Sequence, residues 1–263
     1  MKSYILYDDG RHKCVAFSMP EDDESVPSNQ FLILDGQEAA LIDPGGDLTF
    51  SPLTIQITKF LHMEQIKYII GSHQDPDIIA SMPRWLLHTP QAHLIIPVLW
   101  ERFLPHYNSS FTKGRLKKDI SEFLITIPDT GGSYPLGDSH IIAIPAHFLH
   151  SVGNFQFYDP VSKILFSGDM GASLVGNSGQ VVEDFDAHIA QMKGFHTRYM
   201  NSQIATRAWA KSIQYLDMEK MVPQHGCRFD GQPMIGQFIR WIANLPCGVD
   251  LIDDKTYDFS HLL

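Results

Sequence analysis

The sequence predicts an α/β protein folded as a four-layer αβ/βα sandwich, two facing sheets with helices on both outer faces. Three observations carry that expectation. Short apolar runs alternate with longer amphipathic stretches along the chain. Strand-like runs stand both before and after a pair of helical stretches late in the sequence, an order that suits sheets covered by helices. Four of the apolar runs end in His or Asp, as loops do when they carry chemistry along one edge of a rigid scaffold. The 263 residues and 44% hydrophobic content suit one domain with a sizeable core. No repeat, low-complexity segment or linker divides residues 1–263, which read as a single domain.

The elements follow in order. Residues 14–18, 30–34 and 39–43 read as strands, then 53–63 as a helix, 67–70 as a buried strand and 78–88 as a helix. A strand at 93–96 and a helix at 98–106 lead into residues 108–118, a polar and basic stretch read as an exposed loop. Strands resume at 123–127, 140–144, 155–158 and 163–166. Helices then cover 185–200, 204–216 and 232–244.

The most informative stretch is Gly71-Ser72-His73-Gln74-Asp75-Pro76-Asp77, just after the strand at 67–70. The even spacing of His73, Asp75 and Asp77 points three ligand side chains to one side of an extended segment. Pro76 biases Asp75 away from helical geometry. Taken singly, Asp77 reads as a helix cap and His73 as a loop residue. As a group they have counterparts. The strand at 140–144 runs into His147 and His150, followed by Gly153-Asn154. The run at 164–166 ends in Ser167-Gly168-Asp169, and Met221-Val222-Pro223-Gln224 leads to His225-Gly226. Four strand ends, each delivering His or Asp, predict a binuclear metal site.

These segments resemble the motifs of the metallo-β-lactamase superfamily, and more closely its diiron branch. There the first motif reads HxExDH, with a carboxylate where Asp75 stands. The resemblance extends through Asn29 to Gly36, similar to an opening hairpin, and through Asp43-Pro44-Gly45, similar to the superfamily's Asp-Pro-Gly turn. It implies a metallo-β-lactamase-type sandwich and a ligand set of His73, Asp75 and His150 on one metal, Asp77 and His225 on the other, and Asp169 bridging them. The spacing from His150 to Tyr158 and Asp169 matches the family better than that from His147, which is then a supporting residue. Two departures bear on mechanism. Asp75 is one methylene shorter than the usual Glu, and Ile78 stands where the family has its last histidine. Water, His147 or weak occupancy would make up for that missing ligand.

Three imidazoles and three carboxylates form an oxygen-rich set that suits two iron ions, with manganese or zinc as alternatives. Cys227 could add a soft ligand but reads as a small buried apolar residue. The resemblance to stand-alone oxygen-binding diiron proteins implies an O2 (or iron) sensor in signalling, with O2 or NO as the small ligand and a signalling protein as partner. A diiron oxidoreductase fed by a separate electron donor is the alternative, since no flavodoxin-like phosphate loop is visible. A binuclear hydrolase is a third reading, against which Asp75 argues.

Composition excludes other classes. Net charge is −10 and the cations form no run longer than Lys117-Lys118, which argues against nucleic acid. No stretch approaches a membrane span, and the apolar run near Tyr4 is too short for a signal peptide. The three cysteines, Cys14, Cys227 and Cys247, are far apart with no CxxC, so a cytoplasmic location is expected. A homo-oligomer is compatible with the sequence. The acidic run Glu21-Asp22-Asp23-Glu24 reads as a solvated loop. The 195–200 stretch reads as amphipathic packing, or a lining of the pocket or a partner surface. His12, His62, His88, His93, His106 and His188 read as structural.

Overall fold

The computed structural model describes residues 1–19, 28–103, 114–116 and 119–263. Among them the first sheet has seven strands in sequence order: β1 (Lys2–Asp8), β2 (His12–Ser18), β3 (Asn29–Asp35), β4 (Glu38–Ile42), β5 (Ile66–Ile70), β6 (His93–Pro97) and β7 (Leu124–Ile127). β1 to β4 form an antiparallel meander, and β4 to β7 are parallel. Parallel neighbours need crossovers. Helix α1 (Phe50–Ile57) joins β4 to β5, and α2 (Pro76–Ile79) with α3 (Met82–His88) joins β5 to β6.

The second sheet contains β8 (Gly132–Leu136), β9 (Ser139–Pro145), β10 (Phe155–Asp159), β11 (Ile164–Phe166), β12 (Lys220–Val222) and β13 (Phe229–Asp230), with β13 at one edge and β8 at the other. Its parallel pair is β11 with β12, spanned by α4 (Phe185–Tyr199) and α5 (Gln203–Ile213). Helix α6 (Gln232–Ala243) follows β13.

Strand periodicity divides the apolar residues among three cores. On β2, Val15 and Phe17 pack with Leu53, Ile57 and Trp85 of the first helical layer, while Cys14 and Ala16 face the second sheet. On β9, Ile141 and Ala143 face inward, and Ile142 and Ile144 pack with α4 to α6. Between the sheets the rings of Phe31 and Phe166 lie 4.9 Å apart. The layers are therefore helix, sheet, sheet, helix, as the sequence predicts.

Local differences have local causes. The expected helix over 78–88 is two helices. Ser81 Oγ donates to the carbonyls of Pro44 and Gly45, at 3.0 and 2.7 Å, and its N–H donates to Gly45. That pins the chain to the 44–45 turn and breaks the ladder. The helix expected over 53–63 begins at Phe50 and ends at Ile57, closing with tighter bonds from Lys59 to Gln56 and from Phe60 to Ile57. Residues 98–103 form a 3-10 helix, and 104–106 lie outside the described residues. Three strands have no counterpart in the sequence reading. β1 and β8 are edge strands that mix polar and apolar residues, β8 carries Pro135, and β13 has two residues. The Glu21 to Glu24 run, Lys117-Lys118 and most of the 108–118 loop fall outside the described residues. Among the described residues no helix is long and apolar enough to cross a membrane.

Phe31 and Phe166 are both essentially buried, so Phe31→Ala removes an aromatic pair from the layer between the two sheets. A loss of about 3–5 kcal/mol is expected. Denaturant unfolding with an unchanged m-value would check it.

Candidate metal centre

The site lies where β5, β9, β11 and β12 run out. Past β5, Gly71 accepts close packing, since a Cβ there would lie 2.7 Å from Met82 Cε, and the chain bends at Ser72 and His73 before an extended Asp75. Past β12, Gly226 has φ +80° and no room for a side chain against Ser173. These two glycines let His73 and His225 turn in from opposite sheets.

Their side chains meet those of the other predicted ligands around one carboxylate. Asp169 Oδ2 lies 2.8 Å from His150 Nε2 and 3.2 Å from His73 Nε2, while its Oδ1 lies 3.5 Å from His225 Nε2. Asp75 Oδ2 stands 3.3 Å from His150 Nε2 and 3.7 Å from His73 Nε2. Asp77 Oδ2 stands 3.5 Å from His225 Nε2. The six residues thus divide into two groups, His73, Asp75 and His150 on one side, Asp77 and His225 on the other. Asp169 presents one oxygen to each.

Other buried groups aim these ligands. Asp43 accepts from Ser72 N at 2.8 Å and from Ser72 Oγ at 2.9 Å, and that hydroxyl lies 2.9 Å from His73 Nδ1. The chain leaves His73 Nε2 facing Asp169. Asn154 holds the His150 loop through Leu149 O, and Ser151 Oγ donates to Gln74 Oε1 at 2.5 Å. Asn29 Nδ2 donates to Pro223 O and Gly226 O, tying the His225 loop to the first sheet. His196 Nε2 accepts from Gly171 N at 3.0 Å, just past Asp169. Burial holds the His196 pKa down to about 4, so it stays the neutral acceptor that this bond requires. Sequence reading placed no role on Asp43, Ser72, Asn29 or His196. Asp43 had a signal, the Asp-Pro-Gly turn, while His196 reads as one more residue of an amphipathic helix.

The charges are strongly coupled. Burial lowers the His73 pKa, but the charge and hydrogen bond of Asp169, with the Asp75 bond and the Asp43 charge, together outweigh that and raise it to about 10. His150, also opposed by burial, is raised to about 9 by its bonds to Asp169 and Asp75. Asp75 is held below the usual carboxylate range by bonds from His150 and His73. Asp169 is held far below it, because the His73 charge and the His150 bond overcome burial. Burial pushes Asp43 up to about 6.

His147 is not part of the cluster. Its Nε2 bonds the Asp129 carbonyl at 2.8 Å and its ring packs edge-on against Phe155. Nor does it line the cleft above the cluster, so it is not placed to make up for the missing ligand at residue 78. Ile78 is fully buried in the core between the first sheet and its helices, where α2 needs an apolar inner face. The cleft holds about 300 Å³ and is walled by Ala172, Leu174, Phe195 and Tyr199 beside the ligands. The rings of Phe195 and Tyr199 stand edge-on to His150, 6.0 and 5.8 Å away, so the 195–200 stretch lines the pocket with one face and packs with the other.

Residues 26–226 match the family model described as ODP family beta lactamase, a span that contains all six clustered residues. The chain belongs to that family. It is 35% identical to a structure of the peroxy diiron species of the chemotaxis sensor ODP, with 95% of this chain and 98% of that one covered and a TM-score of 0.83. It is 36% identical to the apo state of chemotaxis sensor ODP from T. denticola, at a TM-score of 0.81. A flavo di-iron protein variant from Thermotoga maritima, 16% identical over 92% of this chain and 60% of that one, shares the fold at a TM-score of 0.74. Among curated proteins, a putative diflavin flavoprotein of Synechocystis is 25% identical over 83% of this chain, and an uncharacterised protein of Methanocaldococcus jannaschii is 27% identical over 75%. The chain aligns with 36% and 48% of the length of these two relatives.

In this ODP-family chain the donor set fits a pair of metal ions. His73 Nε2 and Asp169 Oδ1 are buried without a hydrogen bond, although both face the cluster, and burial without a partner is costly for such groups. A metal at each group would engage both atoms and replace the charge of the two protonated imidazoles.

Two expectations follow. Asp43→Asn or Ser72→Ala leaves His73 present but unaimed, and metal affinity at its position should fall roughly 10–100-fold in competition with a chelator. Ligating imidazoles must be neutral, so metal binding should release protons and tighten from about pH 6 to 9, as calorimetry in buffers of different ionisation enthalpy would show. For the metal-free protein the sign is opposite. The raised His73 and His150 stabilise the fold below their usual 6.5, and that stability is lost as pH rises through about 9 and 10.

Proposed function

We propose that this chain is an oxygen-binding diiron protein that acts as an O2 (or iron) sensor in signalling. The carrying observation is the division of six ligands into two groups joined by Asp169, one carboxylate oxygen to each. Similarity to the chemotaxis sensor ODP at 35% identity over almost the whole chain supports reading that pair as iron. The oxygen-rich donor set suits iron, with manganese and zinc as the alternatives. Two iron ions supply a place where a diatomic ligand, O2 or NO, can bind and exchange electrons.

The protein's own residues set the conditions. His73, Asp75 and His150 complete one position more fully than Asp77 and His225 complete the other, so the second ion is held more loosely and its occupancy follows available iron. Leu174, Phe195 and Tyr199 give the cleft apolar walls that admit a small neutral ligand and limit water. Signalling requires a partner that distinguishes the states, because an equilibrium shifts only by differential affinity.

Anaerobically purified protein should contain up to two irons per chain and change its optical spectrum once on addition of O2. Sustained O2 or NO consumption with a generic flavoprotein reductase would favour the oxidoreductase, and zinc-dependent cleavage of an ester or phosphodiester would favour the hydrolase. Asp169→Ala should lose both ions, since its carboxylate serves each, and retention of two tightly bound irons would refute the assignment. His150→Ala should abolish the diiron spectrum, whereas His147→Ala should keep it. The reverse pattern would make His147 the ligand.

A further inference from the structure

A second group of metal-binding side chains lies at the other end of the sandwich. β2 opens with His12 and Cys14, and β10 closes with Asp159. β10 starts beside the first centre, where Phe155 N donates to Ser72 O at 3.1 Å. Four residues of strand, at about 3.3 Å each, carry Asp159 roughly 13 Å from that point. His12, Cys14 and Asp159 are 2%, 0% and 0% exposed, so the cluster is sealed between the sheets.

The three candidate donor atoms converge. His12 Nε2 lies 2.8 Å from Asp159 Oδ2, Cys14 Sγ lies 3.3 Å from the same oxygen, and Sγ and Nε2 are 3.8 Å apart. Donors around a tetrahedral ion, at about 2.0–2.3 Å from it, are separated by about 3.3–3.6 Å. Opening the imidazole–carboxylate edge by about half an ångström would admit the ion. Ser162 Oγ, 3.4 Å from Cys14 Sγ and hydrogen-bonded to Asp159 Oδ2, stands next to a fourth position.

One atom beside the trio is left unsatisfied. His12 Nδ1 is buried without a hydrogen bond, 3.5 Å from Asp35 Oδ1. With Nε2 on a metal, Nδ1 must carry the proton and faces a carboxylate, the arrangement that commonly orients a metal-bound histidine. Asp35 is itself fixed by the N–H groups of Asp138 and Ser139, at 2.7 and 3.1 Å. A thiolate and a carboxylate together neutralise a divalent ion, which removes the main cost of burying it. Thiolate with imidazole selects a softer ion than the oxygen-rich set of the first centre.

We propose that His12 Nε2, Cys14 Sγ and Asp159 Oδ2 form a second metal site, for a zinc-class divalent ion, which fastens the two sheets together at the end remote from the diiron centre. The Cys14 thiol gives its proton to solvent on binding. Because His12 and Cys14 belong to the first sheet and Asp159 to the second, the ion is a cross-link between them. The inference stands whether or not the first centre senses oxygen.

The test uses the whole protein with its first centre filled with iron, given zinc and then desalted. One zinc per chain should remain, and zinc-edge X-ray absorption should show one sulfur neighbour at about 2.3 Å. Cys14→Ser should lose the sulfur neighbour and weaken zinc retention at least tenfold. Cys227→Ser should keep both, which separates this site from the first centre and its neighbouring cysteine. No retained zinc, a shell of nitrogen and oxygen only, or a sulfur signal that disappears with Cys227 would overturn the proposal. If Cys14→Ser does not fold, the absorption spectrum of the unaltered protein decides alone.

Discussion

One buried carboxylate organises the functional end of this molecule. Asp169 is 2% exposed and has three imidazole nitrogens within 3.5 Å. A lone carboxylate at that depth would be expelled or protonated. Here it stays ionised because His73, His150 and His225 converge on it from three different strand ends. Each of those loops therefore has a fixed end point, and the polar residues behind them, Asp43, Ser72, Asn154 and Asn29, keep the imidazoles from swinging away.

That constraint explains why the scaffold is a double sheet. Asp169 and His225 follow the parallel pair β11 and β12, while His73 follows β5 of the other sheet. Packing the sheets face to face through Phe31, Phe157, Phe166 and their neighbours brings these edges to a common line. The outer helices contribute differently. α4 supplies the apolar cleft wall with Phe195 and Tyr199, and from its buried side His196 holds the backbone just past Asp169. One helix thus joins the cleft wall to the position of the central carboxylate.

Much of this was legible in the chain. Apolar runs of strand length such as residues 14–18 were legible as strands, and the structure then divides them, with Val15 and Phe17 on one face and Cys14 and Ala16 on the other. The clustered residues were legible because each follows an apolar run by a few residues, so a strand end and a His or Asp occur together. Less legible were elements whose form depends on distant partners. The break at Ser81 arises from carbonyls at residues 44 and 45, and β1, β8 and β13 exist because a neighbouring strand is present to pair with them.

The residue types and their spacing by themselves determined the layered α/β architecture and the four strand ends that carry His or Asp, since periodicity and side-chain chemistry are local properties. Only the tertiary structure decided which oxygen of Asp169 faces which group, because that depends on how two sheets pack and not on any segment alone. It also separated His150 from His147. Three residues apart on one loop, they differ in that the loop turns His150 toward Asp169 and His147 toward the Asp129 carbonyl. His12, Cys14 and Asp159 are the extreme case. Each is an unremarkable residue in sequence, and they meet only because β2 of one sheet lies across from the end of β10 in the other.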